Sequence, residues 1–142
     1  MILSVVPLLF VVTAIVVLGV TGNLFSAAPF VMTAQAAAVV LSVWARRSFQ
    51  KDTFRVAAMP GSSSIIRVGP YRFVRHPMYA AALLLVWSGV VSHRSTFTLA
   101  IGLVTTAIVI ARVVAEERLL RQRYPEYGDY SRTTKALVPY VF

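Results

Sequence analysis

Two short stretches of this sequence combine residue types that can bind a small ligand and accept a proton. His76 and Tyr79 lie three positions apart around Pro77. Proline suits the first turn of a helix, so the imidazole and the phenol are predicted to share one helix face. In the second stretch, Glu116 and Glu117 are two of only five acidic residues. Adjacent helical residues point about 100° apart, so one glutamate can face a pocket while the other bonds a neighbour.

Arg112 precedes Glu116 by one helical turn, which places a guanidinium and a carboxylate on one face. Such a pair offers a cation for an anionic group and an acceptor for a hydroxyl or an amine. The ordinary interpretation is a solvated helix end, in which this pair contributes only a few tenths of a kcal/mol. Near His76, the ordinary interpretation is a membrane-entry segment, where arginines and aromatic residues are common.

The composition predicts an integral membrane protein. Hydrophobic residues make up 58% of the 142 residues and charged residues 13%, and residues 1–45 contain no Asp, Glu, Lys or Arg. About a quarter of the residues of a soluble domain are charged, so a two-domain cytosolic enzyme, an all-β sandwich and a disordered chain are excluded. The fold class is therefore predicted to be all-α and polytopic.

Uncharged runs predict four transmembrane helices, of which the third is the shortest. A helix of nineteen residues is about 29 Å long, enough to cross the hydrocarbon core. The runs cover residues 2–20, 27–44, 77–92 and 95–111, with a turn at 21–23. Within a single domain of residues 1–142, this gives two helices in 1–45, an irregular loop in 46–76, a transmembrane hairpin in 77–111, and a tail in 112–142.

The basic residues predict the orientation. The net charge is +9, and thirteen of the fourteen Lys and Arg residues lie in 46–75 and 112–135, with Arg94 the exception. Under the positive-inside rule both termini and the long loop are predicted to face the cytoplasm. Since the cations flank apolar runs, membrane lipid explains them better than nucleic acid. Cysteine is absent, and no metal site is predicted.

The tail is predicted to continue the fourth helix as far as residue 123 and to stop at Pro125. A short helix follows, and the apolar residues 136–142 are predicted to lie back on the membrane surface or on the helix bundle.

The two stretches, taken with their surroundings, resemble the isoprenylcysteine carboxyl methyltransferase family, which is close to the phospholipid methyltransferases. The segments that carry the resemblance are 69–72, 75–79, 116–117 and 124–130, which read GPYR, RHPMY, EE and YPEYGDY. The resemblance covers residues 69–142 and implies an S-adenosylmethionine-dependent membrane methyltransferase of the bacterial cytoplasmic membrane, with its cofactor site on the cytoplasmic face. Consistent with this, the seven glycines form no Gly-rich strand-to-helix turn of the Rossmann type.

The resemblance also implies roles for individual residues. Arg112 orients the methyl acceptor, and His76 or Glu116 accepts a proton where the acceptor needs a base, so Arg112 and Glu116 are the predicted catalytic residues. The implied cofactor-binding residues are Tyr71, Arg75, His76, Tyr79, Glu116 and Glu117.

The predicted acceptor is a lipophilic small molecule or a lipidated substrate that carries a carboxylate. Methylation of a phospholipid amine is the first alternative. A small four-helix transporter is the alternative from another class, but such proteins need a membrane-embedded acid, and residues 1–45 have none. Two alternatives remain: a lipid-binding module without turnover, and a reductase of membrane-bound substrates. No nicotinamide signature supports the reductase.

Overall fold

The computed structural model describes residues 2–58 and 65–138 of the chain, with side chains for residues 7–50 and 65–138. The described residues form five α-helices and one short 3-10 helix, η1. They are α1 (Ile2–Val20), α2 (Pro29–Ala58), η1 (Gly69–Arg72), α3 (Pro77–His93), α4 (Thr96–Arg123) and α5 (Tyr127–Thr133). The only β-pairing within these ranges is an isolated parallel bridge between Val74 and Lys135. The prediction of an all-α fold is confirmed.

Two of the described helices are long and apolar enough to cross a membrane. They are Pro29–Gln50 and Thr96–Arg123, and only 22% and 28% of their most apolar windows are buried inside the structure. Pro7–Val20 and Pro77–His93 are apolar but shorter. Large apolar side chains therefore remain exposed along the helices, as lipid contact requires. The count of four spans stays a prediction.

Helix α2 is longer than predicted and corrects the boundary of the loop. The prediction ended this helix at residue 44 and made residues 46–76 irregular, whereas α2 continues to Ala58 and η1 covers Gly69–Arg72. Charges begin at Arg46, and the loss of hydrophobicity there predicts the end of the helix. Residues 45–58 contain neither Gly nor Pro, so the helix continues where the apolar run stops. Residues 59–64 of the predicted loop lie outside the described residues.

The chain divides into two compact units, of which the first contains residues 1–39 and 81–112. Helix α1 ends in a turn closed by hydrogen bonds from Gly22 N to Gly19 O (3.1 Å) and from Asn23 N to Leu18 O (2.8 Å). Gly22 has a φ of 69°, the left-handed conformation that this helix ending requires. The predicted break at residues 21–23 is thus confirmed. Leu18 and Leu24 pack with α3 side chains in the core of this unit.

The second unit contains residues 40–80 and 113–142. Its described core joins Ile65 to Tyr127 and Tyr130 of α5, with the end of α4 packed against them. Gly69 brings η1 against α2: its φ is 60°, and a Cβ there would lie 2.9 Å from Ser48 Cβ. Only glycine fits both the conformation and the space.

The tail folds back onto the segment that precedes α3. Arg75 N donates to Lys135 O (2.8 Å) and His76 N to Ala136 O (3.0 Å). Ala136 and Leu137 are buried, each 5% exposed. The described part of the tail therefore packs on the protein, which was one of the two predicted placements, the other being the membrane surface. Residues 139–142 lie outside the described part.

Candidate functional site

His76 and Tyr79 are held together at the start of α3. Pro77 is the first helical residue, and Ala80 N donates to His76 O (3.1 Å), which closes the first turn. The imidazole and phenol rings stack with their centroids 5.8 Å apart and an interplanar angle of 29°. The predicted shared face is confirmed.

Arg75 joins the segment before α3 to α4 and to the tail. Its Nε donates to Glu117 Oε1 (2.7 Å), and its Nη1 donates to the carbonyl oxygens of Ser131 (3.0 Å) and Thr134. The side chain of Arg75 is 10% exposed and that of Glu117 is 14% exposed. A guanidinium supplies this fork of donors, which an ammonium group does not.

The two glutamates separate as the helical geometry predicted. Glu117 bonds Arg75, whereas Glu116 accepts a hydrogen bond from Tyr79 Oη (3.3 Å) and lines a cavity. His76 lies between the two carboxylates: Nδ1 is 3.6 Å from Glu116 Oε2 and Nε2 is 3.6 Å from Glu117 Oε1.

We call the cavity beside these side chains the histidine cavity. It has a volume of about 490 Å³, within the range of about 300–1,000 Å³ that small-molecule sites occupy. Its walls come from the end of α2, η1, the start of α3 and the end of α4. The lining residues are Phe49, Tyr71, Arg75, His76, Pro77, Met78, Tyr79, Glu116, Leu119, Leu120, Arg123 and Tyr124.

Burial keeps His76 neutral. The side chain is 8% exposed, and burial lowers the pKa of the imidazole below its ordinary value, aided by Arg75 and opposed by both glutamates. The buried Nε2 has no hydrogen-bond partner among the described residues. One nitrogen of a neutral imidazole carries no proton, and that nitrogen is a proton acceptor or a ligand group.

Three buried or partly buried tyrosines, Tyr71, Tyr127 and Tyr130, stabilise the packing of η1 and α5. Tyr130 Oη donates to Tyr71 O (2.7 Å), which holds η1 against α5. Burial raises the pKa of Tyr71 and Tyr130, and burial together with Glu117 raises the pKa of Tyr127 to about 12. All three phenols therefore stay protonated near neutral pH.

The structure places the six predicted cofactor-binding residues in one unit. Five of them line the histidine cavity, and Glu117 reaches it through its ion pair with Arg75. Arg112 lies on α4 one turn before Glu116 but falls in the other compact unit, so its role stays a prediction.

Several lining residues were missed from the sequence. Leu119, Leu120 and Arg123 follow Glu116 at three, four and seven positions, the spacing of one helix face, so this signal was available. Phe49 was missed because α2 was predicted to stop five residues before it.

Comparison with known proteins gives one family match. The sequence model of the phospholipid methyltransferase family matches residues 26–127, which includes every residue that lines the histidine cavity. No solved structure matches the chain significantly.

Two curated relatives match over 79 residues. The chain is 30% identical to the nickel-cobalt-cadmium resistance protein NccN of Alcaligenes xylosoxydans xylosoxydans and 29% identical to the cobalt-zinc-cadmium resistance protein CzcN of Cupriavidus metallidurans. In each case the match covers 55% of this chain and 37% of the relative, so the chain spans little more than a third of their length. Within the described ranges, no group of three or more His, Cys, Asp or Glu side chains is placed to hold a metal ion.

Proposed function

Since the chain belongs to the phospholipid methyltransferase family, we propose that it transfers a methyl group from S-adenosylmethionine to a lipophilic acceptor within a membrane. The observation that carries this proposal is the histidine cavity, where each imidazole nitrogen of His76 lies 3.6 Å from a glutamate oxygen and the buried Nε2 has no hydrogen-bond partner among the described residues.

The residues of the cavity fit the chemical groups of the cofactor. S-adenosylmethionine supplies a methyl group on a sulfonium cation, which a nucleophile displaces in line. Glu116 provides a carboxylate for a cationic group, and the rings of Tyr71, Tyr79 and Phe49 provide aromatic faces for a cation and a purine. Methyl transfer of this type depends mainly on position and electrostatic fit, which a cavity built on helix ends can supply.

We place the proton acceptor at His76. An amine must lose a proton when it gains a methyl group, and Nε2 of a neutral imidazole can take that proton. The carboxylates of Glu116 and Glu117 stabilise the imidazolium that forms, since both raise the pKa of His76 against the effect of burial. This arrangement favours an amine acceptor, such as the headgroup of an aminophospholipid.

A carboxylate acceptor, the first expectation from the sequence, is the second candidate. It needs no base but needs a cation to hold it near the sulfonium. Arg123 lines the cavity and supplies such a cation, and Arg112 is the cation implied by the family resemblance. Glu116 opposes this candidate, because a second carboxylate in the same cavity is repelled.

The location belongs to the same proposal. We infer four spanning helices with both termini in the cytoplasm, since thirteen of fourteen basic residues lie in two segments that the sequence places on one side. A polar cofactor then enters from the cytoplasm and a lipophilic acceptor from the bilayer.

Cofactor binding tests the site. Calorimetry on detergent-solubilised protein should give a dissociation constant in roughly the micromolar range. Glu116→Gln and His76→Ala should each weaken binding by about tenfold or more, because each removes a polar wall of the cavity. Glu126→Gln is the matched control, since Glu126 is outside the cavity lining. Unchanged binding in both site variants would refute the assignment.

Labelled cofactor identifies the acceptor. The protein is incubated with vesicles that contain either phosphatidylethanolamine or a prenylated cysteine, and the labelled product is identified. An amine product that disappears in His76→Ala, at a cofactor concentration high enough to saturate the weakened variant, supports the base. In contrast, a methyl ester that disappears in Arg112→Ala, with cofactor affinity retained, supports the carboxylate reaction. A label in neither product refutes both acceptor classes.

A further inference from the structure

A second cavity lies on the tail side of the Arg75–Glu117 ion pair. We call it the basic groove, and its volume is about 390 Å³. One wall is apolar and comes from α4, where Val113 is buried and Val114 is 41% exposed. The other wall is the tail, which contributes Arg132 and Lys135. The groove thus joins an apolar surface to a cationic rim.

The charges around the groove favour an anion. Arg75, Arg132 and Lys135 are cationic, and Glu117 is the one acidic residue among those that line it. Arg75 is already bonded to Glu117 and to two carbonyl oxygens, which leaves Arg132 and Lys135 for a ligand.

Neither rim cation is strongly engaged by the described residues. Arg132 lies 3.8 Å from Asp129, but both side chains are about 85% exposed, and an exposed pair of this kind is weak enough for a ligand to displace. The side chain of Lys135 is exposed as well, although its backbone is fixed by the bridge to Val74.

The position along α4 indicates the source of the anion. Residues 95–111 are uncharged, and Val113 and Val114 follow that run just after Arg112, on a helix apolar enough to span a membrane. The phosphate groups of lipids lie at the boundary between the apolar part of such a helix and its charged part, and the acyl chains begin just inside that boundary.

We propose that the basic groove binds the phosphate of an anionic lipid, with the headgroup on Arg132 and Lys135 and the acyl chain against Val114. The site differs from the histidine cavity, with which it shares Arg75 as a wall. It does not depend on methyl transfer, so the lipid site and the proposed reaction are tested separately.

Calorimetry on the detergent-solubilised full chain tests the proposal with three probes. These are short-chain phosphatidylglycerol, short-chain phosphatidylcholine and inorganic phosphate. Phosphatidylglycerol should bind most tightly, because it combines a net negative charge with an acyl chain. The double variant Arg132→Gln, Lys135→Gln should bind it about 30-fold more weakly, since each cation near an anionic lipid contributes about fivefold.

Two further variants separate the groove from general basicity. Arg118→Gln removes a positive charge from an exposed position of α4 outside the groove, and it should leave lipid binding unchanged. Val114→Trp fills the apolar wall without changing charge and should weaken phosphatidylglycerol binding while retaining the response to inorganic phosphate.

Each contrary outcome overturns the proposal. Equal loss in Arg118→Gln means that net charge and not the groove binds the lipid. Equal affinity for phosphatidylcholine removes the anionic requirement, and equal affinity for inorganic phosphate makes the ligand a soluble phosphate. Wild-type affinity in the double variant removes the rim cations from the site.

Discussion

Replacing Arg75 by glutamine should destabilise the protein far more than the same replacement at Arg121. Both guanidinium groups contact Glu117, at 2.7 Å and 3.5 Å, but the Arg75 side chain is 10% exposed and that of Arg121 59%. Arg75→Gln leaves the Glu117 carboxylate poorly solvated without its main partner, and removes charged donors from the carbonyl oxygens of Ser131 and Thr134. Breaking a buried pair in this way costs about 3–5 kcal/mol.

Arg121→Gln breaks only an exposed pair one turn along a helix, which contributes below about 1 kcal/mol. Thermal unfolding in detergent, followed by circular dichroism, should therefore give a fall in Tm of about 10 °C for Arg75→Gln and of at most a few degrees for Arg121→Gln. Equal shifts in the two variants would refute the reasoning that burial decides the strength of the ion pair.

Three further predictions concern the same unit. Burial lowers the pKa of His76, while the unfolded imidazole titrates near 6.5, so the unfolded state binds more protons below that pH. The unfolding free energy should therefore fall as the pH drops below about 6.5. His76→Gln should flatten this pH dependence in denaturant titrations. Gly69→Ala should lower the unfolding free energy by about 2 kcal/mol, because the φ of Gly69 is 60° and α2 occupies the space that a Cβ would need. Gly128→Ala is the control: there is open space around Gly128, so this variant should be neutral or slightly stabilising in the same assay. Tyr130→Phe should cost about 1 kcal/mol in denaturant titration through loss of its bond to Tyr71 O, and an unchanged midpoint would contradict that.

The sequence predicted the helices wherever hydrophobicity and turn residues agreed. Helix α1 has the predicted bounds, 2–20, because the turn residues 21–23 follow it and Gly22 adopts the left-handed conformation there. The prediction failed at α2, where charge and helical propensity disagree: the charges end the apolar run, but the helix ends at Ala58. Hydrophobicity marks where a chain can leave the bilayer and does not mark where its backbone stops being helical.

The candidate site was partly predictable for a similar reason. His76 with Tyr79, and Glu116 with Glu117, are local patterns whose geometry follows from 3.6 residues per turn. Two of the partners of Arg75 were not predictable, because they are backbone carbonyl oxygens at residues 131 and 134, more than fifty positions away. A carbonyl group has no signature in a sequence, since every residue carries one.

Those distant carbonyl groups set an order of events during synthesis. Every side chain that lines the histidine cavity belongs to residues 49–124, whereas two of the three acceptors of the Arg75 guanidinium, the carbonyl oxygens of Ser131 and Thr134, are translated later. A ribosome halted at codon 130 has therefore made the whole lining without two of the groups that hold Arg75 in place. A nascent chain of that length can hold Arg75 through Glu117 alone, and synthesis of residues 131–134 supplies the two remaining acceptors.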